Sequence, residues 1–529
     1  MSNNNISEHD ASLPVKEKVS NKTIWSVITA SSLGTLIEWY DFYIFGSLAV
    51  VLSTKFFPAD NPTAAFLSTL ATFAAGFVVR PFGALFFGRL GDMIGRKYTF
   101  LVTLLIMGFS TFLIGCIPSY ETIGFMAPVL VLVLRLLQGL ALGGEYGGAA
   151  TYVAEYAQPG RRGYWTSWIQ TTATIGLFVS LVVILITKTT LSAEEFDNWG
   201  WRVPFWISIL MVGVSYVIRK NMKESPLFAE AKKEGKTSKN PLKESFGNKY
   251  NFKFVLLALF GAVMGQGVVW YTGQFYAMSF IQKVMNVDSA QVDSLMAIAL
   301  LLGTPLFVLF GWLSDKIGRK PIMLIGMLIA ILSYRPIYDK MYKSVDLTGK
   351  EMEQNGLVEK RTAKAHEKIT GDSLITFHTE KTFTDGYQLK KDSIVHWSPS
   401  GTVIKDGKPE AATVNKTIHI NNETRWTLVF LVFIQVVFVT MVYGPIAAFL
   451  VEMFPIRIRY TSMSLPYHIG NGIFGGLLPA VATYLVSSGK EAGHPQWYLQ
   501  GLWYPIIIAG ICIVIGLIYL NGKDKKVED

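Results

Sequence analysis

Long apolar stretches recur along the chain and are separated by shorter polar segments. A helix of about 20 mostly apolar residues crosses a bilayer core about 30 Å thick. The pattern therefore predicts an all-α membrane protein with twelve transmembrane helices, six in each half. The predicted spans are Trp25–Leu52, Ala64–Phe87, Tyr98–Ile117, Phe125–Tyr152, Tyr164–Thr187 and Trp201–Ile218, then Phe254–Ile281, Gln291–Leu313, Pro321–Tyr338, Trp426–Val451, Thr461–Val486 and Gly501–Leu520.

The polar segments divide the chain further. The predicted parts are a cytoplasmic tail at 1–23, an amino-terminal half at 24–218, a cytoplasmic linker at 219–253, helices 7–9 at 254–338, an insertion at 339–425, helices 10–12 at 426–520 and a cytoplasmic tail at 521–529.

The insertion breaks the helical pattern. Apolar runs vanish there, and short alternating stretches such as Ser373–His378 and Thr417–Ile420 stand between turn residues, which predicts a small β-rich domain. A disordered spacer is the alternative. Helix parity places the insertion outside the cytoplasm, and its own function, with any partner it binds, stays undefined.

Charge is distributed in the manner of a membrane protein. The chain is 51% hydrophobic and 16% charged, with a net charge of +10. The Lys and Arg residues lie in alternate loops and are not clustered with aromatic residues, so we expect no nucleic-acid partner. An excess of Lys and Arg marks cytoplasmic loops. This pattern predicts that both termini are cytoplasmic and that the amino terminus is retained.

One loop occurs twice. Gly88–Lys97 returns as Gly311–Lys320, in each case between the second and third helix of a half. Glycines permit a tight turn and close approach, and the acidic and basic side chains can form ion pairs that break when the halves move. We predict that the loops act in gating, with topology anchoring as the alternative. The predicted gating residues are Gly88, Asp92, Arg96, Lys97, Asp315, Arg319 and Lys320.

With its two six-helix halves, basic linker and repeated loop, the chain resembles the major facilitator superfamily. The segments Glu38–Phe42, Arg80–Gly83, Arg135–Gly139 and Gly143–Gly148 resemble its metabolite:proton symporter family. Members of that family import shikimate, oxoglutarate, citrate, or proline and betaine. They generally have only a short connection where this chain has its insertion.

The resemblance implies a transporter rather than an enzyme. It implies a multi-pass protein of the plasma membrane, with a bacterial inner membrane expected, whose partners are the lipid bilayer, a small-molecule substrate and protons. The proton gradient would supply the energy, without a cofactor or metal. Two halves would rock about a central site.

Charged side chains inside a membrane are costly and usually serve a cavity, a partner or an ion path. Glu38 and Asp41 lie three residues apart and so share one face of helix 1. The resemblance implies that Arg135, which matches a family position involved in substrate or proton handling, is the partner of Asp41. Arg80 can face either the cavity or the interface. We predict that these four residues and Glu145 couple proton and substrate. The alternatives are a structural ion pair for Asp41 and Arg135, and a helix-packing hydrogen bond for Glu145.

Neutral polar and aromatic side chains in helices 7 and 11 are the predicted substrate contacts. They are Gln266, Trp270, Tyr271, Gln274, His468 and Asn471. A histidine satisfied by a neighbouring hydroxyl is the alternative for His468. The two arginines favour an organic carboxylate as the substrate, and the two carboxylates suit a betaine- or proline-like zwitterion.

Other functional classes fit less well. An exporter or antiporter of this superfamily would carry a Gly-Pro motif in helix 5, and Gln170–Phe178 has none. A sugar uniporter would not need buried carboxylates. An ATP-driven pump would need a phosphate-binding loop, but Glu230 stands where that motif requires glycine. A membrane sensor or receptor that uses the insertion is the alternative outside transport.

Overall fold

The computed structural model describes residues 21–58, 62–158, 160–365, 373–398, 401–402, 404–405, 408–409 and 413–520. Of the two predicted tails, only residues 21–23 fall within the described ranges, and they belong to the first helix.

In the part of the chain that the structure describes, twelve long helical segments form the bundle. In the amino-terminal half they are α1 (Asn21–Ser47), α2 (Pro62–Met93), α3 (Arg96–Ile114), α4 (Met126–Tyr156), α5 (Arg162–Thr190) and α6 (Gly200–Lys220). In the other half they are α7 (Lys249–Val284), α8 (Ser289–Ile317), α9 (Arg319–Ser344), α10 (Asn422–Met453), α11 (Arg459–Glu491) and α12 (Trp497–Tyr519). Shorter helices lie at Ala49–Phe56, Tyr120–Ile123, Ala193–Asn198 and Pro226–Lys233.

Within the described residues, ten of the helices are long and apolar enough to cross a membrane. The other two segments, α1 and α2, are 27 and 32 residues long. Large apolar side chains such as Phe86, Leu185, Leu332 and Ile507 lie exposed on the outside of the bundle. Such an apolar exterior suits lipid rather than water.

Glycines bring the backbones of α2 and α4 together. A Cβ atom at Gly139 would overlap the carbonyl of Gly76, and one at Gly143 would overlap the backbone of α2 at Arg80 and Gly83. Small residues allow this close approach between membrane helices. The α2–α4 contact holds Arg80 and Arg135 on adjacent helices beside α1.

Two seams join the halves. The carboxy-terminal part of α2 packs against the start of α11, and the start of α5 packs against the end of α8. Both seams lie at the end of the bundle that carries the α2–α3 and α8–α9 loops, which we call the motif end. The opposite end is the insertion end.

The insertion is β-rich, as predicted. Strands β1 (Met352–Ala365), β2 (Ser373–Phe383) and β3 (Gln388–Ser398) form an antiparallel sheet in that order, and β3 also pairs with β4 (Gly401–Thr402) and β7 (Thr413–His419). Strands β5 (Ile404–Lys405) and β6 (Lys408–Pro409) form a separate pair. Helix α9 continues through Ser344 and α10 begins at Asn422, so the insertion is shorter at both ends than the predicted 339–425.

The sheet is attached to the bundle. Ile418 donates a backbone hydrogen bond of 2.7 Å to Asn286 and accepts one of 2.9 Å from Asp288, in the α7–α8 loop. The hydroxyl of Tyr387 donates to the carbonyl of Ser344 at 2.9 Å, at the end of α9. The base of the insertion is therefore held by the α7–α8 loop and by the end of α9.

Candidate functional site

A cavity of about 40 Å³ lies between the two halves, and we call it the central cavity. The amino-terminal half contributes Glu38, Trp39, Phe77 and Arg80, and the other half contributes Trp270, Tyr271, Tyr443, Tyr467, His468, Asn471 and Gly472. The volume holds on the order of three water molecules. A substrate with several carbon atoms would therefore require the halves to separate further.

A second cavity of about 10 Å³ lies within the amino-terminal half, and we call it the inner cavity. Its lining includes Glu38, Asp41, Arg80, Arg135 and Gln138. Glu38 and Arg80 belong to both cavities, so they form part of the wall between them. Four of the five predicted coupling residues thus meet in one region.

Arg80 pairs with Glu38 across α2 and α1. The Nη1 atom of Arg80 lies 3.1 Å from Oε1 of Glu38, and the guanidinium stands over the ring of Phe77 with 4.3 Å to the ring centre. The side chains are 16% and 10% exposed. Both charges are thus close to the central cavity and only partly shielded from it.

The ion pair between Asp41 and Arg135 is more deeply buried than that between Glu38 and Arg80. Nη1 of Arg135 donates to Oδ2 of Asp41 at 2.7 Å, with side-chain exposures of 5% and 3%. Gln138 donates to the other carboxylate oxygen at 3.0 Å and to the hydroxyl of Thr111 at 2.7 Å. Sequence reasoning named Arg135 as the partner and omitted Gln138. Its spacing of three residues from Arg135 on α4 was the available signal.

The predicted contacts on α7 separate into two groups. Trp270 and Tyr271 line the central cavity, whereas Gln266 exchanges two hydrogen bonds of 3.1 Å with Asn471 and fixes α7 to α11. Gln274 is buried and lines neither of the two cavities.

The helices beside the cavity are locally irregular. Turns of π-helix interrupt α7 at Thr272–Tyr276 and α11 at Gly470–Gly475, next to the cavity-lining Tyr271 and within the segment that carries Asn471. Such turns are frequent at functional sites because they redirect side chains and loosen the backbone ladder.

His468 lies at the cavity wall. Its side chain is 3% exposed, and its ring stands edge-on to Tyr467 with 5.2 Å between the ring centres. Its Nε2 atom has no hydrogen-bond partner within the described part of the chain.

Glu145 lies outside both cavities. Its carboxylate receives a hydrogen bond of 2.6 Å from Nη2 of Arg219 and one of 2.9 Å from Thr103, and both charged side chains are 1% exposed. Arg219 is stacked on Phe100 at 3.4 Å. The position therefore matches the packing alternative for Glu145. The sequence placed Arg219 at the start of the predicted linker, and it gave no indication that Arg219 is the partner of Glu145.

The first of the two predicted gating loops, Gly88–Lys97, contacts the other half of the bundle. Asp92 accepts hydrogen bonds from the backbone N–H groups of Tyr460 at 3.3 Å and Thr461 at 2.8 Å, in the first turn of α11. Arg96 lies 3.0 Å from Asp92 and 3.4 Å from Glu155. Arg96 thus connects this loop to Glu155, near the end of α4.

The second predicted gating loop, Gly311–Lys320, repeats the arrangement. Asp315 accepts from the backbone N–H groups of Gly163 at 2.8 Å and Tyr164 at 2.7 Å, in the first turn of α5. Arg319 pairs with Asp315 at 2.7 Å and with Glu452 at 3.1 Å.

The remaining predicted gating residues contact the ends of helices or pack against α11. Lys97 donates to the carbonyl of Lys220 at 2.9 Å, and Lys320 donates to that of Leu520 at 2.6 Å. Gly88 faces the backbone of Thr461 so closely that a Cβ atom would crowd it. The contacts of Gly88, Asp92 and Asp315 thus join the two halves at the motif end, whereas the two lysine contacts lie within a half.

Aromatic contacts bring the halves together on the other side of the cavity. The ring centres of Trp39 and Trp270 are 5.1 Å apart, and those of Phe42 and Phe275 are 5.2 Å apart. Among the described residues, no group of three or more His, Cys, Asp or Glu side chains has the arrangement of a metal site.

Known proteins share this sequence and fold. A family profile described as sugar (and other) transporter matches residues 26–249. The alpha-ketoglutarate permease of Escherichia coli K12 is 30% identical over 510 residues, which cover 96% of each chain. The citrate-proton symporter of Salmonella typhi is 28% identical over 482 residues, 90% of this chain and 91% of that one.

Other matches are more local or more distant. The proline/betaine transporter of Escherichia coli K12 is 37% identical over 309 residues, which are 56% of this chain and 61% of that protein, so the match leaves more than a third of that relative uncovered. The solved structure of the proton:xylose symporter XylE has a TM-score of 0.64 at 15% identity, with 94% of this chain and 96% of that one covered. By its fold and its full-length relatives, the chain belongs to the metabolite:proton symporter family of the major facilitator superfamily.

Proposed function

We propose that the protein imports a small polar metabolite, an organic carboxylate, together with protons. The observation that carries the proposal is the Glu38–Arg80 ion pair in the wall shared by the two cavities. An ionisable pair at this depth is expensive to keep in a membrane, and function is the usual reason for its presence. The full-length similarity to an alpha-ketoglutarate permease and a citrate-proton symporter supports the same substrate class.

Arg80 is the proposed anchor for the substrate. A substrate carboxylate in the central cavity competes with Glu38 for the guanidinium, which can bind a carboxylate through two parallel hydrogen bonds. Glu38 then loses its cation. An unpaired carboxylate in apolar surroundings is neutralised by a proton rather than left charged. Substrate binding and proton uptake are thereby linked.

We propose that the Asp41–Arg135 pair is the second proton-binding site. Their 2.7 Å pair borders the inner cavity, which Glu38 and Arg80 also line. Gln138 holds the second oxygen of Asp41, so the carboxylate stays oriented in either protonation state. The gradient drives the cycle, and no cofactor is required.

Alternating access follows from the two gating loops. The closed motif end corresponds to the cytoplasmic side, and the insertion lies outside, in accordance with helix parity and the distribution of Lys and Arg. Opening toward the cytoplasm requires Asp92 and Asp315 to release α11 and α5. Trp270, Tyr271 and His468 contact the substrate, whereas Gln266 and Asn471 hold α7 and α11 together at the cavity, and Gln274 and Glu145 act structurally.

A zwitterion is the second candidate substrate. The aromatic rings of Trp39, Phe77, Trp270, Tyr271, Tyr443 and Tyr467 surround the central cavity. Aromatic faces attract a quaternary ammonium group, and Arg80 would hold the carboxylate of the same molecule. The partial match to a proline/betaine transporter is consistent with this choice.

Proton flux into liposomes tests the proposal. Purified protein is reconstituted with a pH-sensitive dye inside, and oxoglutarate, citrate, shikimate, proline, betaine and xylose are added in turn. Internal acidification with a carboxylate supports the proposal, and acidification with betaine or proline alone supports the zwitterion. Folded protein that acidifies the interior with none of them contradicts proton symport of these classes.

A further inference from the structure

A groove of about 410 Å³ lies on the outer surface of the bundle, between α7 and α12, and we call it the α7–α12 groove. Its lining includes Lys249, Lys253, Leu256, Phe260, Ile515 and Tyr519. The carbonyl of Leu520, at the end of α12, accepts a hydrogen bond of 2.6 Å from Lys320 of the second predicted gating loop. The groove therefore lies at the motif end, outside the central and inner cavities.

The charged and apolar side chains of the groove are separated along α7. Lys253 and Phe260 are seven residues apart and share a face of the helix with Lys249. At 1.5 Å per residue, Phe260 lies about 10 Å further along α7 than Lys253. Ile515 and Tyr519, one turn apart on α12, form the opposite wall. The groove is thus cationic near the start of α7 and apolar along its length.

The apolar part of the groove is exposed. Leu256 and Tyr519 are 37% and 53% exposed, and Phe252, which also lines the groove, is 40% exposed. Both α7 and α12 are long and apolar enough to cross a membrane. An apolar wall on the outside of such helices is covered more favourably by an acyl chain than by water. The groove also has a volume within the range of about 300–1,000 Å³ that ligand pockets have.

The two lysines of the groove carry charges that the described part of the chain does not neutralise. Neither forms an ion pair with a residue that the structure describes. The nearest acid in the sequence, Glu244, accepts a hydrogen bond of 2.6 Å from Ser238 and lies 3.5 Å from Arg457. Like charges four residues apart on a helix repel, and the positive end of the α7 dipole adds to the repulsion. An anion held between the lysines removes this repulsion.

We propose that the α7–α12 groove binds a phospholipid with a negatively charged headgroup. The phosphate lies between Lys249 and Lys253, and an acyl chain lies along Leu256, Phe260 and Ile515. Basic side chains at the edge of grooves between membrane helices recognise anionic headgroups in this way. A zwitterionic phospholipid has no net charge to balance two lysines, and a free phosphate leaves the apolar wall uncovered. The site is independent of the transported substrate.

Such a lipid holds together two helices of the carboxy-terminal half. Helix α7 carries Trp270 and Tyr271 at the central cavity, and α12 packs along α7. A ligand that binds only the folded state stabilises that state by mass action. We therefore expect the anionic lipid to raise the Tm of the protein when it binds.

Lipid binding to the purified full-length protein tests the proposal. Native mass spectrometry measures the binding of dioleoyl phosphatidylglycerol, which is anionic, and of dioleoyl phosphatidylcholine, which is zwitterionic and has the same chains. We expect the Kd of the anionic lipid to be about tenfold or more below that of the zwitterionic lipid, since each lysine near a lipid surface contributes on the order of fivefold. Thermal unfolding in micelles that contain either lipid measures the difference in Tm.

Two double variants locate the site. K249Q/K253Q should reduce the lipid preference to about twofold or less and remove the difference in Tm. The matched control is K239Q/K243Q, which removes two exposed lysines with the same spacing outside the groove. The control should keep the preference. Glycerophosphoglycerol, which is the anionic headgroup without acyl chains, should not displace the bound lipid at an equal concentration.

Three results would overturn the proposal. They are equal binding of the two lipids, a preference that survives in K249Q/K253Q, and a preference that K239Q/K243Q loses to the same extent. Displacement of the lipid by glycerophosphoglycerol would assign the lysines to a soluble phosphate and would also contradict a lipid site. Proton flux is a separate measurement, so a failure of the proposed symport leaves the outcome of this test unchanged.

Discussion

The carboxylate of Asp92 accepts a 2.8 Å hydrogen bond from the backbone N–H of Thr461, which lies in the other half of the protein. The repeat reproduces the contact, because Asp315 accepts from Tyr164 at 2.7 Å. In each case an acidic side chain meets the unpaired N–H groups and the positive end of a helix dipole. Each half therefore holds the first turn of a helix of the other half.

Removing one of these carboxylates should open the motif end. We expect Asp92→Ala to raise the labelling rate of a reporter S464C by about tenfold or more, since hydrogen bonds to a charged group contribute about 1.5–3 kcal/mol each. Ser464 is buried in α11 beside Gly147. The measurement is the reaction of an impermeant thiol reagent with purified protein lacking Cys116 and Cys512.

Asp315→Ala should act in the same direction, through α5. The matched control is Asp197→Ala, which removes an exposed ion pair with Lys55 at the protein surface. Labelling that is equally slow in all three variants would contradict the role of the two loops in closure.

Asp41→Asn should uncouple transport from the proton gradient. Asparagine retains an oxygen that can accept a hydrogen bond from Arg135. Because its amide cannot take up a proton, the variant keeps the site assembled but removes the protonation of residue 41. We expect gradient-driven accumulation in liposomes to fall by at least about tenfold, the loss typical of removing a proton-transfer group. Exchange of labelled substrate at equal concentrations should persist.

The control for this variant is Glu195→Gln. Glu195 lies in an exposed first turn of a short helix and does not line either cavity. Accumulation at the wild-type level by Asp41→Asn would exclude Asp41 as a proton site.

Glu145 should prove to be a structural residue. Glu145→Gln leaves the buried guanidinium of Arg219 without its counter-ion, and breaking a buried pair costs about 3–5 kcal/mol. Thermal unfolding of the purified protein should show a large destabilisation. The double variant E145Q/R219M removes both charges and should recover most of the lost stability.

Transport by the double variant distinguishes structure from coupling. If Glu145 acts only in packing, the double variant transports with protons once it folds. A stable double variant that still moves substrate but no longer moves protons would restore Glu145 to the coupling pathway.

The insertion should be dispensable for transport. Replacing residues 352–417 by a short Gly/Ser linker keeps Ile418 and its bonds to the α7–α8 loop. We expect the substrate-driven proton flux to stay within about twofold of the wild type, because a unit with few contacts to the bundle can be removed without disturbing it. The companion variant Tyr387→Phe, made in the full-length chain, removes the hydroxyl contacts of Tyr387 with Ser344 and Thr424 while keeping the sheet. A folded deletion variant without flux would favour the sensor alternative.

The sequence by itself determined the parts that depend on local composition. Apolar stretches of membrane-spanning length predicted the helices, alternation within the insertion predicted strands, and the repeated loop predicted two related halves. The pairing of Asp41 with Arg135 was expected from the family resemblance, which matched Arg135 to a position involved in substrate or proton handling.

Only the tertiary structure decided which face of each helix meets which neighbour. Glu145 and Asp41 look alike in sequence, as acids on apolar helices, yet one meets Arg219 in a packed interface and the other meets Arg135 beside a cavity. Helix rotation, close packing at glycines and the π-helical turns of α7 and α11 set these contacts. They depend on residues far apart in the chain, and hydrophobic periodicity contains no information about them.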